Sequence, residues 1–248
     1  MEAGRAAGAL LRQRLGLSSQ VSYKGEVDLV TESDNLSQGL IVARLTELFP
    51  GHDILAEEGL TRESGSSFRW VVDPLDGTTN FAHHFPVFCV SIGLEVEGRT
   101  ELGLVYDPMR EEMFWALRGE GAFLNGNRIR VSAVAELGQS LLATGFPYDI
   151  RQTGDNIAHF GNFVVRAQAI RRCGSAALDL CYVACGRFDG FWEMKLNPWD
   201  VCAGALIVRE AGGRATDFSG REFPSTVSHI LASNGFLHGQ MMDVLGKG

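Results

Sequence analysis

The 248-residue chain has no apolar run long enough to cross a bilayer, and its opening Met1-Glu2-Ala3-Gly4-Arg5 holds no apolar signal core. Neither a membrane span nor a secretory leader is expected, and a cytoplasmic location is. An excess of basic charge is also lacking: 22 Lys and Arg stand against 30 Asp and Glu, for a net charge of −8. That balance speaks against broad nucleic-acid binding. Cysteine is sparse, and the five present (Cys89, Cys173, Cys181, Cys185, Cys202) have no C-x-x-C spacing. Cys181 and Cys185 stand four apart on an expected helix, but their neighbours are apolar and no histidine is near in sequence. Buried thiols are therefore expected rather than a zinc pair. Repeats and low-complexity segments are absent too. Aromatic and β-branched residues are plentiful, which excludes a disordered chain. The length suits one large or two small domains.

The apolar pattern divides the chain near residue 135. Before it, helices are expected over residues 3–15 and 34–49, the second with Leu36, Leu40, Ile41, Leu45 and Leu48 on one face and Asp34 as its cap. Short strands are expected over 53–56, 69–73, 89–96, 101–106 and 112–117, with hairpin turns at Glu97-Gly98 and Asn125-Gly126. After it, strands over 141–144, 169–171 and 188–193 alternate with helices over 155–165, 175–185 and 200–211. The middle one of these strands is followed by the helix that Gly186 ends, and the helix over 155–165 is expected to bury Ile157, Phe160 and Val164. An α+β half over 1–135 and an α/β half over 136–248 follow from this change of pattern.

The most informative segment is Trp70-Val71-Val72-Asp73-Pro74-Leu75-Asp76-Gly77-Thr78-Thr79-Asn80. Residues 70–72 read as a buried strand that Pro74 stops, because proline cannot donate to a ladder. Two close carboxylates follow with no Lys or Arg in the motif. Such a pair resists ionising together unless a cation sits between its members, and a hard divalent ion suits oxygen ligands. Gly77 to Asn80 then opens a helix, whose first N–H groups form a ready anion site. A metal beside an anion hole suggests phosphate chemistry. An isolated Asp-Gly-Thr would be an ordinary turn; the whole D-P-L-D-G-T-T-N after a strand is far more specific. Two further acidic sites stand alone as bland features: Glu57-Glu58 as an exposed pair after a strand, and Asp200 as a helix N-cap in Asn197-Pro198-Trp199-Asp200.

Taken together these segments resemble the inositol monophosphatase family of magnesium-dependent, lithium-sensitive phosphatases. The likeness extends through Asp28-Leu29-Val30-Thr31-Glu32-Ser33-Asp34, Gly174-Ser175-Ala176-Ala177-Leu178, Gly186-Arg187-Phe188-Asp189-Gly190, Glu193, Trp199-Asp200, Glu210-Ala211-Gly212-Gly213 and Ala232-Ser233-Asn234-Gly235. It looks like the bacterial and archaeal branch. One departure is Ala56, where the family usually has glycine before the two glutamates.

The resemblance implies a layered αβαβα sandwich of the sugar-phosphatase type and two or three magnesium ions per site. Glu57, Asp73 and the carbonyl of Leu75 would hold the first ion. Asp73, Asp76 and Asp200 would hold the second. Asp34 and Thr78 would form the pair that orients the attacking water, with Glu57 also in the catalytic group. The N–H groups of Gly77 and Thr78 would hold the phosphate. Gly174, Ser175, Ala176 and Glu193 would meet the alcohol part, and Lys24 matches a lysine near a weaker third ion. His83 and His84 are expected to be surface or packing residues rather than acids. The implied substrate is a small phosphate monoester, with inositol monophosphate first and fructose 1,6-bisphosphate or a nucleotide cofactor's 2′-phosphate as alternatives. A homodimer is implied as well. A metal-free regulatory subunit of the same fold is the non-enzymatic alternative, and it would be favoured by loss of a carboxylate.

Overall fold

The structure is a computed structural model that describes residues 1–17, 21–23, 29–222 and 229–246. Lys24 and Asp28 lie outside the described residues. The chain opens with α1 (Glu2–Arg14), β1 (Val21–Tyr23), β2 (Leu29–Thr31) and α2 (Glu32–Leu48). A long β region follows: β3 (Asp53–Ala56), β4 (Thr61–Arg62), β5 (Phe68–Asp76), then α3 (Thr78–Ala82), β6 (Cys89–Val96), β7 (Arg99–Asp107), β8 (Glu112–Leu117), β9 (Gly121–Leu124) and β10 (Asn127–Arg128). The remainder is β11 (Leu141–Thr144), α4 (Ile150–Thr153), α5 (Ile157–Val164), β12 (Ala169–Arg171), α6 (Ala176–Ala184), β13 (Gly190–Glu193), α7 (Pro198–Glu210), β14 (Arg214–Thr216), β15 (Ile230–Ser233) and α8 (His238–Leu245).

An eight-stranded sheet runs in the order β10-β9-β8-β7-β6-β5-β3-β4 and is antiparallel except for the β3–β5 pair. A five-stranded sheet runs β12-β11-β13-β15-β14, parallel across β12, β11 and β13 and antiparallel beyond. Helices α1 and α2 cover one face of the large sheet. Helices α6 and α7 fill the space between the two sheets, and α5 and α8 cover the far face of the small one. The layers are therefore αβαβα, as expected. Among the described residues no helix is long and apolar enough to cross a membrane.

Three apolar clusters hold these layers together. One joins Leu11, Ile41 and Leu45 to Trp70, Val72 and Phe88; a second joins Val105 and Phe114 to Leu178, Val201 and Ile207; a third stacks Phe163 on Trp192 with ring centroids 4.0 Å apart. Each fully buried side chain of this size contributes about 1.5–3 kcal/mol. Close approach sets the position of α7: a Cβ on Gly103 would fall 2.6 Å from the carbonyl oxygen of Ala203. Only glycine lets the helix seat at this depth.

The structure corrects several sequence expectations. Pro74 does not stop its strand: β5 continues to Asp76 through a register shift between Asp73 and Asp76. A bulge tolerates proline because the lost donor is not needed there. Asp34 is not the cap of α2. Thr31 is the cap, and Asp34 sits three residues in, accepting at Oδ2 from Thr31 N at 2.8 Å and Thr31 Oγ1 at 2.6 Å. The buried face of α2 also differs. Leu36 and Leu48 are exposed, whereas Ser33, Asp34, Ser37 and Gln38 are buried ahead of Ile41 and Leu45. That polar face points at the β5 bulge, where Ser37 Oγ donates to Pro74 O at 2.7 Å. On α5, Ile157 and Val164 are exposed and Phe163 takes the core position.

Candidate active site

The β5 bulge creates the site. Strand β5 carries Asp73 inward, where it is 2% exposed, and its Oδ1 accepts from Leu75 N at 2.9 Å. Gly77 then turns with φ +97°, and a Cβ there would meet Val87 O at 2.9 Å. Both facts require glycine. The short helix α3 follows, and its first turn brings Thr78 back over the bulge. Thr78 Oγ1 lies 3.1 Å from Asp34 Oδ1 and 3.0 Å from Leu75 O. With one proton, the hydroxyl donates to one of these acceptors at a time.

Two other elements close the site. Ser175 caps helix α6, whose N-terminus receives Asp76: Oδ2 accepts from Ser175 Oγ and from Ala177 N, each at 2.7 Å. A carboxylate is favoured there by the orphan N–H groups and the helix dipole. Helix α7 begins with Asn197 as cap and Pro198 in its first turn, so Asp200 is not the cap that spacing alone suggests. It sits one turn in, with Oδ2 accepting from Asn197 N at 2.7 Å.

One cleft is lined by Glu57, Asp73, Leu75, Asp76, Gly77, Thr78, Gly174, Ser175, Ala176, Glu193 and Asp200. Asp34 stands behind it, buried, and reaches it through Thr78. His83 and His84 are exposed and do not line it. The lining also includes Thr79 of the motif, and Gly145, Phe146, Tyr148, Arg172, Asp179 and Lys195, six residues that motif reading did not single out. Asp179 carried a signal in the sequence: it is the single charged residue in the otherwise apolar Ala176–Ala184 helix. The others come from loops with no distinguishing pattern.

Electrostatically the site is a concentration of acid. Burial pushes Asp73 well above the usual carboxylate range, and Glu57, Asp76 and Asp200 push it further. Asp200 is likewise raised well above, by burial first and then by Asp76, Glu57 and Glu193. Asp76 is raised by burial and held back by its bonds to Ser175 and α6. Asp34 is raised by burial against its bonds to Thr31 and Thr78. Glu193 is pushed up to about 8, by burial, with Arg172 opposing. Among the described residues none of Asp73, Asp76 and Asp200 forms an ion pair. Each has one carboxylate oxygen tied to a protein donor, which leaves its other oxygen for a ligand. That all-oxygen donor set fits magnesium. No three His, Cys, Asp or Glu side chains among the described residues close on a single point as a ready-made metal group. The carboxylates surround the cleft instead, so a bound cation would have to draw them in or be shared among them.

The model of the inositol monophosphatase family matches residues 1–247. The inositol-1-monophosphatase of Synechocystis sp. is 45% identical over 98% of this chain and 86% of its own. The Nus factor SuhB of Pseudomonas aeruginosa is 46% identical over 94% of this chain and 89% of its own. The crystal structure of the extragenic suppressor protein SuhB from Bartonella henselae superposes with a TM-score of 0.95 at 42% identity, covering 100% of this chain and 96% of that one. The chain belongs to the inositol monophosphatase family and is an inositol-monophosphatase-like phosphoric monoester hydrolase.

Proposed function

We propose that the cleft hydrolyses a small polyol phosphate, inositol monophosphate first, by magnesium-dependent attack of water. The observation that carries this reading is the gathering of buried Asp73 and half-buried Asp76 and Asp200 in one cleft without an ion pair. Buried carboxylates that repel each other are costly unless a cation completes the site. Glu57, Asp73 and Leu75 O would hold one magnesium ion; Asp73, Asp76 and Asp200 would hold another. When bound, magnesium neutralises this charge, polarises the phosphoryl oxygens and makes water a better nucleophile.

The chain's own residues supply position and proton handling. Thr78 Oγ1 accepts from the attacking water while donating to Asp34 Oδ1, so the pair fixes the water's orientation. Engagement of Leu75 O by a cation would leave Asp34 as the acceptor for that hydroxyl. The N–H groups of Gly77 and Thr78 bind the phosphate oxygens. Phosphoryl transfer asks for little more than such positioning and charge stabilisation. Ser175 already donates to Asp76, so its share in substrate binding, with Gly174 and Ala176, falls to the backbone at the start of α6. Glu193 accepts from a substrate hydroxyl.

The carboxylate set is complete, which favours an enzyme over a regulatory subunit that has lost its metals. The same resemblance leads us to expect lithium inhibition, a cytoplasmic homodimer, and two halves, 1–135 and 136–248, that both contribute to the cleft. The test is phosphate release from a panel of inositol 1-phosphate, fructose 1,6-bisphosphate and NADP, with magnesium and with excess chelator. Preference for inositol phosphate that vanishes in chelator is expected. Preference for either of the others would change the substrate, and undiminished turnover in chelator would refute the metal dependence.

A further inference from the structure

One wall of the cleft carries an acid that the roles above leave unused. Asp179 lies one turn into α6, lines the cleft, and is 1% exposed. Its Oδ1 has no hydrogen-bond partner among the described residues. The nearby Cys173 thiol eases the burial of the carboxyl group, yet Oδ1 stays a buried acceptor without a donor. Native interiors rarely keep such an atom unless a ligand or water completes it. Its position in the wall of a substrate cleft makes a ligand the natural partner.

Two neighbours define what that ligand carries. Glu193 lines the same cleft, and each of the two acids feels the other or the shared Arg172: Arg172 draws both down, and Asp179 pushes Glu193 up. The three groups therefore occupy one region of the cleft. Arg172 has no hydrogen bond or ion pair to any described residue, so it does not satisfy Oδ1. Carboxylates only accept, and hydroxyls donate. Two acceptors in one pocket match two separate hydroxyls of one substrate.

We propose that Asp179 is a specificity-determining residue that accepts from a second substrate hydroxyl, so that Asp179 and Glu193 together select polyol monophosphates with at least two free hydroxyls besides the ester. This rests on the phosphatase reading of the cleft. It adds a residue to that reading and narrows the substrate class. Simple alkyl phosphates would fill the phosphate site but leave both acids unmatched. A site built to bond a hydroxyl discriminates strongly against an analogue lacking it, because its own buried acceptors then stay unpaired.

The test compares two phosphates of one ring size: inositol 1-phosphate, and cyclohexyl phosphate, which has no free hydroxyl. kcat/KM is measured with saturating magnesium for the wild type, Asp179→Asn and Asp179→Ser, with thermal melts to verify folding. The expected result is a loss of about tenfold to a hundredfold on inositol phosphate and under about threefold on cyclohexyl phosphate. Equal losses on both would assign Asp179 to supporting Asp76 and α6, and would overturn the proposal. Unchanged activity on inositol phosphate, or failure of both variants to fold, would overturn it as well. A wild type that releases phosphate from neither ester would instead sink the phosphatase reading, and this proposal with it; hydrolysis of both esters at equal rates by all three proteins would sink this proposal alone.

Discussion

The carboxylate of Glu193 rests against the bare Cα of Gly145: a Cβ added at Gly145 would fall 2.0 Å from Glu193 Oε1 and 2.2 Å from Cδ. Gly145 follows the last residue of β11, and Glu193 ends the neighbouring strand β13. The absence of a side chain on one strand end thus makes room for the functional group of the next.

Gly145→Ala should therefore act as a displacement of Glu193. The clash is with the end of a side chain rather than with backbone, so the fold should survive. Turnover of inositol phosphate should fall about tenfold or more, because a misplacement of this size disrupts positioning. A thermal melt and a steady-state assay check this. A variant that melts like wild type and retains full kcat/KM would show that the Glu193 carboxylate is free to move without consequence.

Glu193→Gln should separate the alcohol part from the phosphate part. Loss of a carboxyl partner for a substrate hydroxyl should cost about 1–3 kcal/mol in kcat/KM for inositol phosphate. For 4-nitrophenyl phosphate, which has no such hydroxyl, the change should be small. Equal losses on both esters would place Glu193 in the metal site or the fold instead.

Thr78→Ala removes the hydroxyl between Asp34 Oδ1 and Leu75 O but keeps the backbone N–H. Catalysis should suffer more than magnesium affinity, by roughly a hundredfold in kcat, the scale of a lost positioning contact. Magnesium titrations of wild type and variant, read as kcat and as the half-saturating concentration, distinguish the two. A normal kcat with weakened magnesium dependence would make Thr78 a metal-site residue.

The raised acids predict an unusual pH response. A carboxylate whose folded pKa exceeds its unfolded value binds more protons when folded, so it destabilises the protein at high pH and ceases to do so as pH falls. Asp73 and Asp200 are displaced in this sense from 3.8, and Glu193 from 4.5 to about 8, which sets the upper edge of the window. His238 works the other way. Burial between Thr216 and Ser233 lowers it from 6.5 to about 4, so its stabilisation is complete above pH 6.5 and is lost as pH falls from there toward 4. Between pH 8 and 6.5 the acids should dominate. The metal-free protein should melt higher at pH 6.5 than at pH 8, and magnesium should raise the melting temperature more at pH 8, where protons compete less for the ligands. A magnesium gain that grows on acidification would contradict the assignment of these acids as its ligands.

How much of this was legible in the sequence depended on which force set each element. Strands β3, β6, β8, β11 and β12 follow from runs of apolar and β-branched residues bounded by turns, and the layered fold from their order. The carboxylates of the site were visible through their motifs. The polar buried face of α2 was not, because Ser33, Asp34, Ser37 and Gln38 are buried against the β5 bulge and its neighbours, where hydrogen bonds replace apolar contact. Hydrophobic periodicity cannot register such a face. The continuation of β5 past Pro74 was hidden for a similar reason: a local rule about proline yielded to a bulge. Asp179 and Gly145 matter through what stands across the cleft from them in space, and no spacing along the chain encodes that.

Under the proposed function, Asp76, held by α6 with one oxygen free, would complete a magnesium site that drives ester hydrolysis. Asp76→Asn keeps the shape and removes one charge. The decisive measurement is phosphate release from inositol 1-phosphate at saturating magnesium, by wild type and by this variant. Wild-type turnover should vanish in chelator, and the variant should remain folded while losing at least about a hundredfold. Near-normal turnover by Asp76→Asn at ordinary magnesium, or wild-type turnover that persists in chelator, would contradict the proposed function.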